Sequence, residues 1–316
     1  MKKSLKITMT SDENAAECFE RFLLTKRSDG VKSKTIDTYR HHFHAISKHL
    51  DVSTDIAELT SEHLRDMIIS MQDASLSPNT IKSYTITLKA FLSWCNREGL
   101  TELNMKKYRG IQTIKETYSD AELKALLQKP NMKNCTFSDY RNYVIVNFLV
   151  NSGCRAATVR NIQSRDVDIE NRIVYARHTK NSKPLVIPLC SQMAELLRQY
   201  MKIRGGADDD YLFCSEYGEY LTENALRLAI ARYNKSRGIQ KTSIHLFRHT
   251  FARKYLIDCG GDAFTLQKLL GHSTLDMTKL YCTIFDADIA KNYDEISPLA
   301  RIKATSTKIK MDTTRQ

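Results

Sequence analysis

Apolar residues recur at helical spacing through the first hundred positions. Ala15, Phe19, Phe22 and Leu23 form one stripe, and Ile36, Tyr39, Phe43, Ile46 and Leu50 a second. Leu64, Met67, Ile68 and Met71 form a third, and Ile81, Tyr84, Leu88, Phe91 and Cys95 a fourth. Local punctuation agrees with four helices. Thr10-Ser-Asp-Glu13 reads as a capping box ahead of the first stripe. Ser77-Pro78 reads as an N-cap followed by proline at the first helical position, and Gly99 as a C-cap. The pattern predicts a short tail over 1–9 and a helical bundle over 10–103. Residues 104–117 are basic, weakly periodic and contain Gly110, which predicts a linker.

A second domain is predicted over 118–297. Ser119-Asp-Ala-Glu122 is another capping box, and the apolar run Tyr143 to Val150 marks a buried helix. A short β signal follows at Val167–Ile169, Arg172–Arg177 and Pro184–Pro188, with the polar stretch His178 to Lys183 as a hairpin turn. Helices then dominate again, over about 190–203, 222–236, 243–258, 262–270, 274–283 and 286–295. Residues 298–316 read as a basic, flexible tail. The predicted class is mainly α with a small antiparallel β-sheet: a helical domain followed by an α+β domain.

Charge changes the picture. The 316 residues include 48 Lys and Arg against 36 Asp and Glu, a net charge of +12 and a pI near 9.2. The excess is uneven: net +3 over 1–116 and net +9 over 117–316. A polyanionic partner follows, and nucleic acid is the commonest; simple solubility gives the same balance. No segment approaches the roughly 20 apolar residues a membrane span requires. Met1-Lys-Lys-Ser4 opens like a signal peptide, but Asp12, Glu13 and Asn14 interrupt any apolar region, so the expectation is an untargeted, cytoplasmic chain. The eight cysteines are scattered, and none forms C-x-x-C, which excludes zinc-ribbon and thioredoxin readings.

Four local signals carry chemistry. In Thr242-Ser-Ile-His245-Leu-Phe-Arg248-His249, His245 and Arg248 stand at i, i+3 behind Ser243, a plausible N-cap. An imidazole beside a guanidinium near a helix start makes an anion cradle, although a solvated helix face carries the same residues. In Leu270-Gly271-His272-Ser273, the glycine ends one helix and the serine caps the next, so His272 sits in a tight corner. Tyr281 follows nine residues later. In Asn151-Ser-Gly153-Cys-Arg155, an arginine directly follows a glycine break, from which it can project inward.

Together with Thr179-Lys180 in the predicted turn, the order and spacing of these elements resemble the tyrosine recombinases of the phage-integrase type, Xer-like or transposon-type. The resemblance spans about residues 119–295, and the helical segment 10–103 resembles the family's core-binding domain. The resemblance implies that Tyr281 attacks a DNA phosphorus to give a 3′-phosphotyrosyl linkage and a free 5′-hydroxyl. It implies that Arg155 and Arg248 clamp the non-bridging oxygens, that Lys180 protonates the departing oxygen, and that His245 and His272 bond the phosphate or assist proton transfer. No metal and no cofactor is implied. The turn also offers Lys183. The family usually has Glu or Asp three residues after the first arginine; here that position is Thr158, so Arg155 must be supported from elsewhere.

The implied function is a site-specific DNA recombinase of a mobile element, in a bacterial cytoplasm at the nucleoid. The implied partners are double-stranded DNA with inverted half-sites, a homodimer on DNA and a synaptic homotetramer. Lys32, Lys34 and Arg40, with Lys106, Lys107 and Arg109 of the linker, are the DNA contacts expected outside the catalytic set. Alternatives are a catalytically silent DNA-binding regulator and a type IB topoisomerase-like relaxing enzyme. A metal-dependent relaxase is suggested by His42-Phe43-His44, but the helical register of that segment sets the two histidines about 200° apart.

Overall fold

The computed structural model describes residues 13–111, 116–177 and 184–272, with 274, 275 and 278. The chain divides into two compact units, Met1–Thr113 and Ile114–Gln316.

The first unit holds α1 (Ala15–Ser28), α2 (Ser33–Ile46), α3 (Ser61–Asp73) and α4 (Pro78–Arg97). The start of α1 differs from the sequence expectation. Its capping box is Asn14 with Glu17, not Thr10 with Glu13: Asn14 Oδ1 accepts the Glu17 N–H at 2.9 Å, and Glu17 accepts the Asn14 N–H at 3.2 Å. The reason is non-local. The Ala15 and Ala16 N–H groups bond the carbonyls of Thr54 and Val52, which fixes where the helix can begin, and Glu13 turns to Arg21 instead. Ser77 caps α4 and Pro78 opens it, as expected. Gly99 adopts φ +75° just past its end, where Leu100 N–H reaches the Cys95 carbonyl at 3.0 Å.

The core of this unit is aromatic. Phe19 stacks on Phe43 with centroids 3.7 Å apart, and Phe91 meets Phe19, Phe22 and Phe43 at 5.3, 5.7 and 5.9 Å. Such pairs add about 0.5–1.5 kcal/mol each beyond burial. Met105 is buried in this core and Tyr108 packs on it, so the first half of the expected linker lies along the bundle. The His42-Phe43-His44 triplet is helical: His42 bonds Thr87 Oγ1 at 2.8 Å and meets the Tyr84 ring, while His44 is exposed.

The second unit holds α5 (Asp120–Leu127), α6 (Phe137–Ser152), α7 (Ala156–Asn161), a 3-10 turn (Ser164–Asp166), β1 (Val167–Asp168), β2 (Ile173–Ala176), β3 (Leu185–Pro188), α8 (Ser191–Arg204), α9 (Glu223–Ser236), α10 (Ile244–Ile257) and α11 (Ala263–Leu270). Helix α6 is buried on every side, from Tyr140 to Val146 and again at Phe148 and Leu149, and α5, α8, α9 and α10 pack around it. The strands form an antiparallel sheet in the order β1-β2-β3, with Val174 opposite Ile187 and Ala176 opposite Leu185. The chain enters this unit under restraint. Tyr118 N–H donates to Thr250 Oγ1 at 2.9 Å, and its ring meets Phe247 at 4.7 Å, which ties the entry to α10. The turn 178–183, the expected cap at Ser273, and the expected helices beyond it apart from Thr274, Leu275 and Thr278 lie outside the described residues, as does the tail.

Candidate active site: two arginines held by helix ends

Three chain breaks converge in the second unit. Helix α6 ends at Gly153, with φ +57° and ψ 16°. A Cβ there would lie 2.5 Å from the Phe251 ring and 2.9 Å from Leu270, so the position needs glycine both for its backbone and for its neighbours. Helix α11 ends at Gly271, also left-handed, at φ +60°. Helix α10 begins behind Ser243, whose side chain makes no capping bond.

Arg248, one turn into α10, is 5% exposed. Its Nη1 donates to the Gly153 carbonyl at 3.0 Å and its Nη2 to the Leu270 carbonyl at 2.9 Å. Carbonyls at a helix C-terminus lack intrahelical donors and carry the negative end of the helix dipole, so they suit a guanidinium. Arg155 precedes α7 in extended backbone, φ −78° and ψ 150°, and its Nη1 donates to the Gly271 carbonyl at 3.3 Å. This carbonyl is a partner for Arg155 from outside its own helix. Thr158 is buried, and its N–H closes the first turn of α7 onto the Arg155 carbonyl.

Two imidazoles share the electrostatics of these arginines. Desolvation, then the charges of Arg248 and Arg155, push the His272 pKa down to about 4, so the ring is neutral at pH 7. His272 Nδ1 lies 2.8 Å from Thr278 Oγ1, and both residues are buried. His245, exposed at the start of α10, is lowered by partial desolvation and by the same two arginines, with Glu223 opposing. Two cations that cannot lose their protons, close enough to lower the pKa of two imidazoles, form a cluster suited to an oxyanion that gains charge.

Of the six residues expected to form the catalytic set, the structure brings together Arg155, His245, Arg248 and His272. Lys180, its alternative Lys183, and Tyr281 lie outside the described residues. Thr278, three positions before Tyr281, is a site residue that sequence reasoning missed; a threonine six residues past His272 carries no signal of its own. The carbonyls of Gly153, Leu270 and Gly271 were equally invisible, because any residue supplies one. Of the basic residues beside His245, Lys254 is engaged with Asp120 and Asp258. The expected DNA contacts Lys32, Lys34, Arg40, Lys106, Lys107 and Arg109 are all exposed in the first unit, with Arg40 paired to Glu20 at 3.5 Å. Among the described residues no helix is long and apolar enough to cross a membrane.

Comparison with known proteins gives the family of both units. Residues 117–287 match the model described as the phage integrase family, and residues 17–99 match its N-terminal SAM-like domain. The tyrosine recombinase XerC of Xanthomonas campestris pv. campestris is 24% identical over 297 residues, covering 92% of this chain and 90% of that protein. The Tn1549 transposon integrase, solved in complex with transposon right end DNA, superposes with a TM-score of 0.72 at 20% identity, covering 90% of this chain and 99% of that one. A lambda integrase tetramer bound to a Holliday junction gives 0.70 at 19% identity, over 86% of this chain and 78% of that one. The two structures share the fold.

Proposed function

The chain belongs to the phage integrase family, as a site-specific DNA recombinase of the tyrosine type, and from that premise we propose how its own residues break and rejoin DNA. The observation that carries the proposal is the cluster in which Arg155 and Arg248, held by helix-end carbonyls, lie close enough to lower the pKa of the two imidazoles His245 and His272. Tyr281 Oη attacks the phosphorus, and the bond from phosphorus to the 5′-oxygen breaks. The phenolic proton passes to the neutral His245 ring, and the Lys180 ammonium gives a proton to the leaving 5′-oxygen, so protons balance across the step. Arg155 and Arg248 take up the charge that gathers on the non-bridging oxygens. His272, with Nδ1 turned to Thr278, offers Nε2–H to one of those oxygens. One phosphodiester is exchanged for another, so a second 5′-hydroxyl can reverse the reaction with no nucleotide, metal or other cofactor.

DNA is the partner, and the protein works as an oligomer. The finer arrangement we propose is a homodimer on two inverted half-sites and a synaptic homotetramer of two such dimers. Lys32, Lys34, Arg40, Lys106, Lys107 and Arg109 contact the DNA backbone from the helical unit, which corresponds to residues 10–103, and the catalytic domain to residues 118–297. The setting we favour is integration, excision or transposition of a mobile element, because Thr158 departs from the family's usual acid. The place of work is the cytoplasm, at the nucleoid.

The test is covalent capture. The protein is incubated in EDTA with DNA flanking its own gene, denatured in SDS and assayed for a protein–DNA adduct, beside Tyr281→Phe. The expected adduct survives EDTA, disappears in the variant, and its end reads out the target site. An EDTA-sensitive adduct that persists in Tyr281→Phe ends this mechanism. Tight binding of that DNA without any adduct favours the silent regulator.

A further inference from the structure

The backbone and the ring of His272 are held by different residues, and the one that holds the ring has no chemistry of its own in the reaction. The backbone N–H donates to the Gln267 carbonyl at 3.0 Å, and the His272 carbonyl accepts from Gln267 Nε2 at 3.4 Å. The ring stands apart from this: Nδ1 lies 2.8 Å from Thr278 Oγ1. Thr278 is 0% exposed, and its backbone N–H donates to the Leu275 carbonyl at 2.8 Å, which fixes where the hydroxyl stands. A buried hydroxyl is unfavourable unless it is hydrogen-bonded, and valine would fill the same volume without that requirement. What threonine adds over valine here is a bond to the ring.

That bond bears on where the ring keeps its proton. Burial and the charges of Arg248 and Arg155 hold the ring neutral at pH 7, so it carries one N–H rather than two. Which nitrogen has that proton is set by the hydrogen bond the other nitrogen makes. A carbonyl or carboxylate facing Nδ1 would keep the proton there and leave Nε2 as a lone pair. A hydroxyl can donate instead; Nδ1 then accepts, and the proton belongs to Nε2. Because Nδ1 is committed to Thr278, a bond from this ring to a phosphate oxygen has to come from Nε2. The oxygen is an acceptor, and a bare Nε2 would repel it.

We propose that Thr278 is a positioning residue for His272: its hydroxyl donates to Nδ1 and so keeps the ring's single proton on Nε2 when the phosphate is bound. This rests on the reading of His272 as a donor to a non-bridging oxygen. No proton leaves the ring in the cleavage step. The Nε2–H bond strengthens as charge gathers on the oxygen, beside the guanidinium groups of Arg155 and Arg248. Replacing the hydroxyl by a methyl group keeps the shape of the site and removes the group that selects the tautomer.

The experiment compares the unsubstituted protein, Thr278→Val, His272→Ala and the double variant in covalent-complex formation on a synthetic duplex of the captured target site. Thr278→Val is expected to slow the reaction about tenfold, the worth of one hydrogen bond. In the His272→Ala background the same substitution should change the rate by less than about twofold, because the ring through which it acts is gone. Thr278→Ser keeps the hydroxyl and should recover most of the rate. A packing role would slow both backgrounds alike; that result, or no slowing by Thr278→Val where His272 is present, overturns the proposal. The proton itself is located by nitrogen-15 NMR of histidine-labelled Tyr281→Phe bound to the same duplex, with His272→Asn added to identify the signal. The expected state is a proton on Nε2 and none on Nδ1, and the reverse overturns the proposal. His272→Ala alone tests the underlying reading and should cost about a hundredfold. If that variant reacts at the unsubstituted rate, His272 makes no bond to the phosphate, whatever Thr278 does.

Discussion

The two units bury different kinds of side chain. Among the described residues, the buried polar side chains of the helical unit are Thr85 and Thr87, set in a core built on Phe19, Phe22, Phe91 and Trp94. The second unit buries Arg141, Asn142, Asp166, Asn234, Arg248, Thr250, His272 and Thr278 among others. Burying a charge is unfavourable unless every partner is in place. Arg248 meets that condition with two helix-end carbonyls, and Arg141 with the Cys214 carbonyl and Asn142. One unit thus fills its core almost wholly with apolar side chains, while the other spends part of its core holding charged groups away from water. The helical unit keeps its lysines and arginines at the surface, where water solvates them. Where a phosphoryl oxygen must be stabilised, the cations have to be fixed before it arrives.

This contrast can be tested at three scales. The largest effect is expected from Phe91→Ala, which removes a ring that touches four other aromatic rings. The loss should be about 3–5 kcal/mol. The chain has a single tryptophan, Trp94, so its fluorescence in a urea titration reports the helical unit alone. A comparable loss in the second unit, followed by circular dichroism, would show that the two cores are not separable.

The next effect is on pH. His272 has a folded pKa of about 4 against an ordinary value of 6.5. Between those values the unfolded chain binds a proton that the folded one does not, so stability rises with pH. The contribution is complete above about 6.5 and is lost as pH falls toward 4. Its size is about 3 kcal/mol at 1.36 kcal/mol per pH unit. Carboxylates titrate in the same window, so the quantity to measure is the difference in unfolding free energy between the unsubstituted protein and His272→Asn. That difference should shrink on acidification, and a pH-independent difference would remove the buried neutral ring from the account.

The smallest effect is expected in the helical unit. His42→Phe gives up one bond to Thr87 and keeps the apolar contact with Tyr84. It should cost about 0.5–1.5 kcal/mol, and addition of zinc should leave the melting temperature of either protein unchanged. A zinc-dependent rise that disappears in His42→Phe would revive a metal site on α2.

Legibility in the sequence followed the range of the interactions. The stripes of α1 to α4 and the caps at Ser77, Ser119 and Gly153 depend on neighbours three or four residues away, and they could be read directly. The start of α1 was misplaced because Thr54 and Val52 decide it. The 3-10 turn before β1 gave no sign, since the N–H groups of Ser164 and Arg165 are spoken for by Asp210 and Asp208. In the pocket, the side chains could be nominated by their spacing, but their supports could not. Thr158 raised the question of what partners Arg155, and nothing in the string of residues pointed to the Gly271 carbonyl.

The bonds of Arg248 and Tyr118 also impose an order on synthesis. Arg248 ties Gly153 to Leu270, and Tyr118, at the entrance of the second unit, is held by Thr250. A ribosome must therefore deliver the chain through Leu270 before the pocket can close, whereas the helical core is complete once Met105 has emerged. Any translation product interrupted between those points carries a finished helical unit and no means of cutting. The two units are therefore unequal in the length of chain each must wait for: one closes on about a third of it, the other only when most of it has been made.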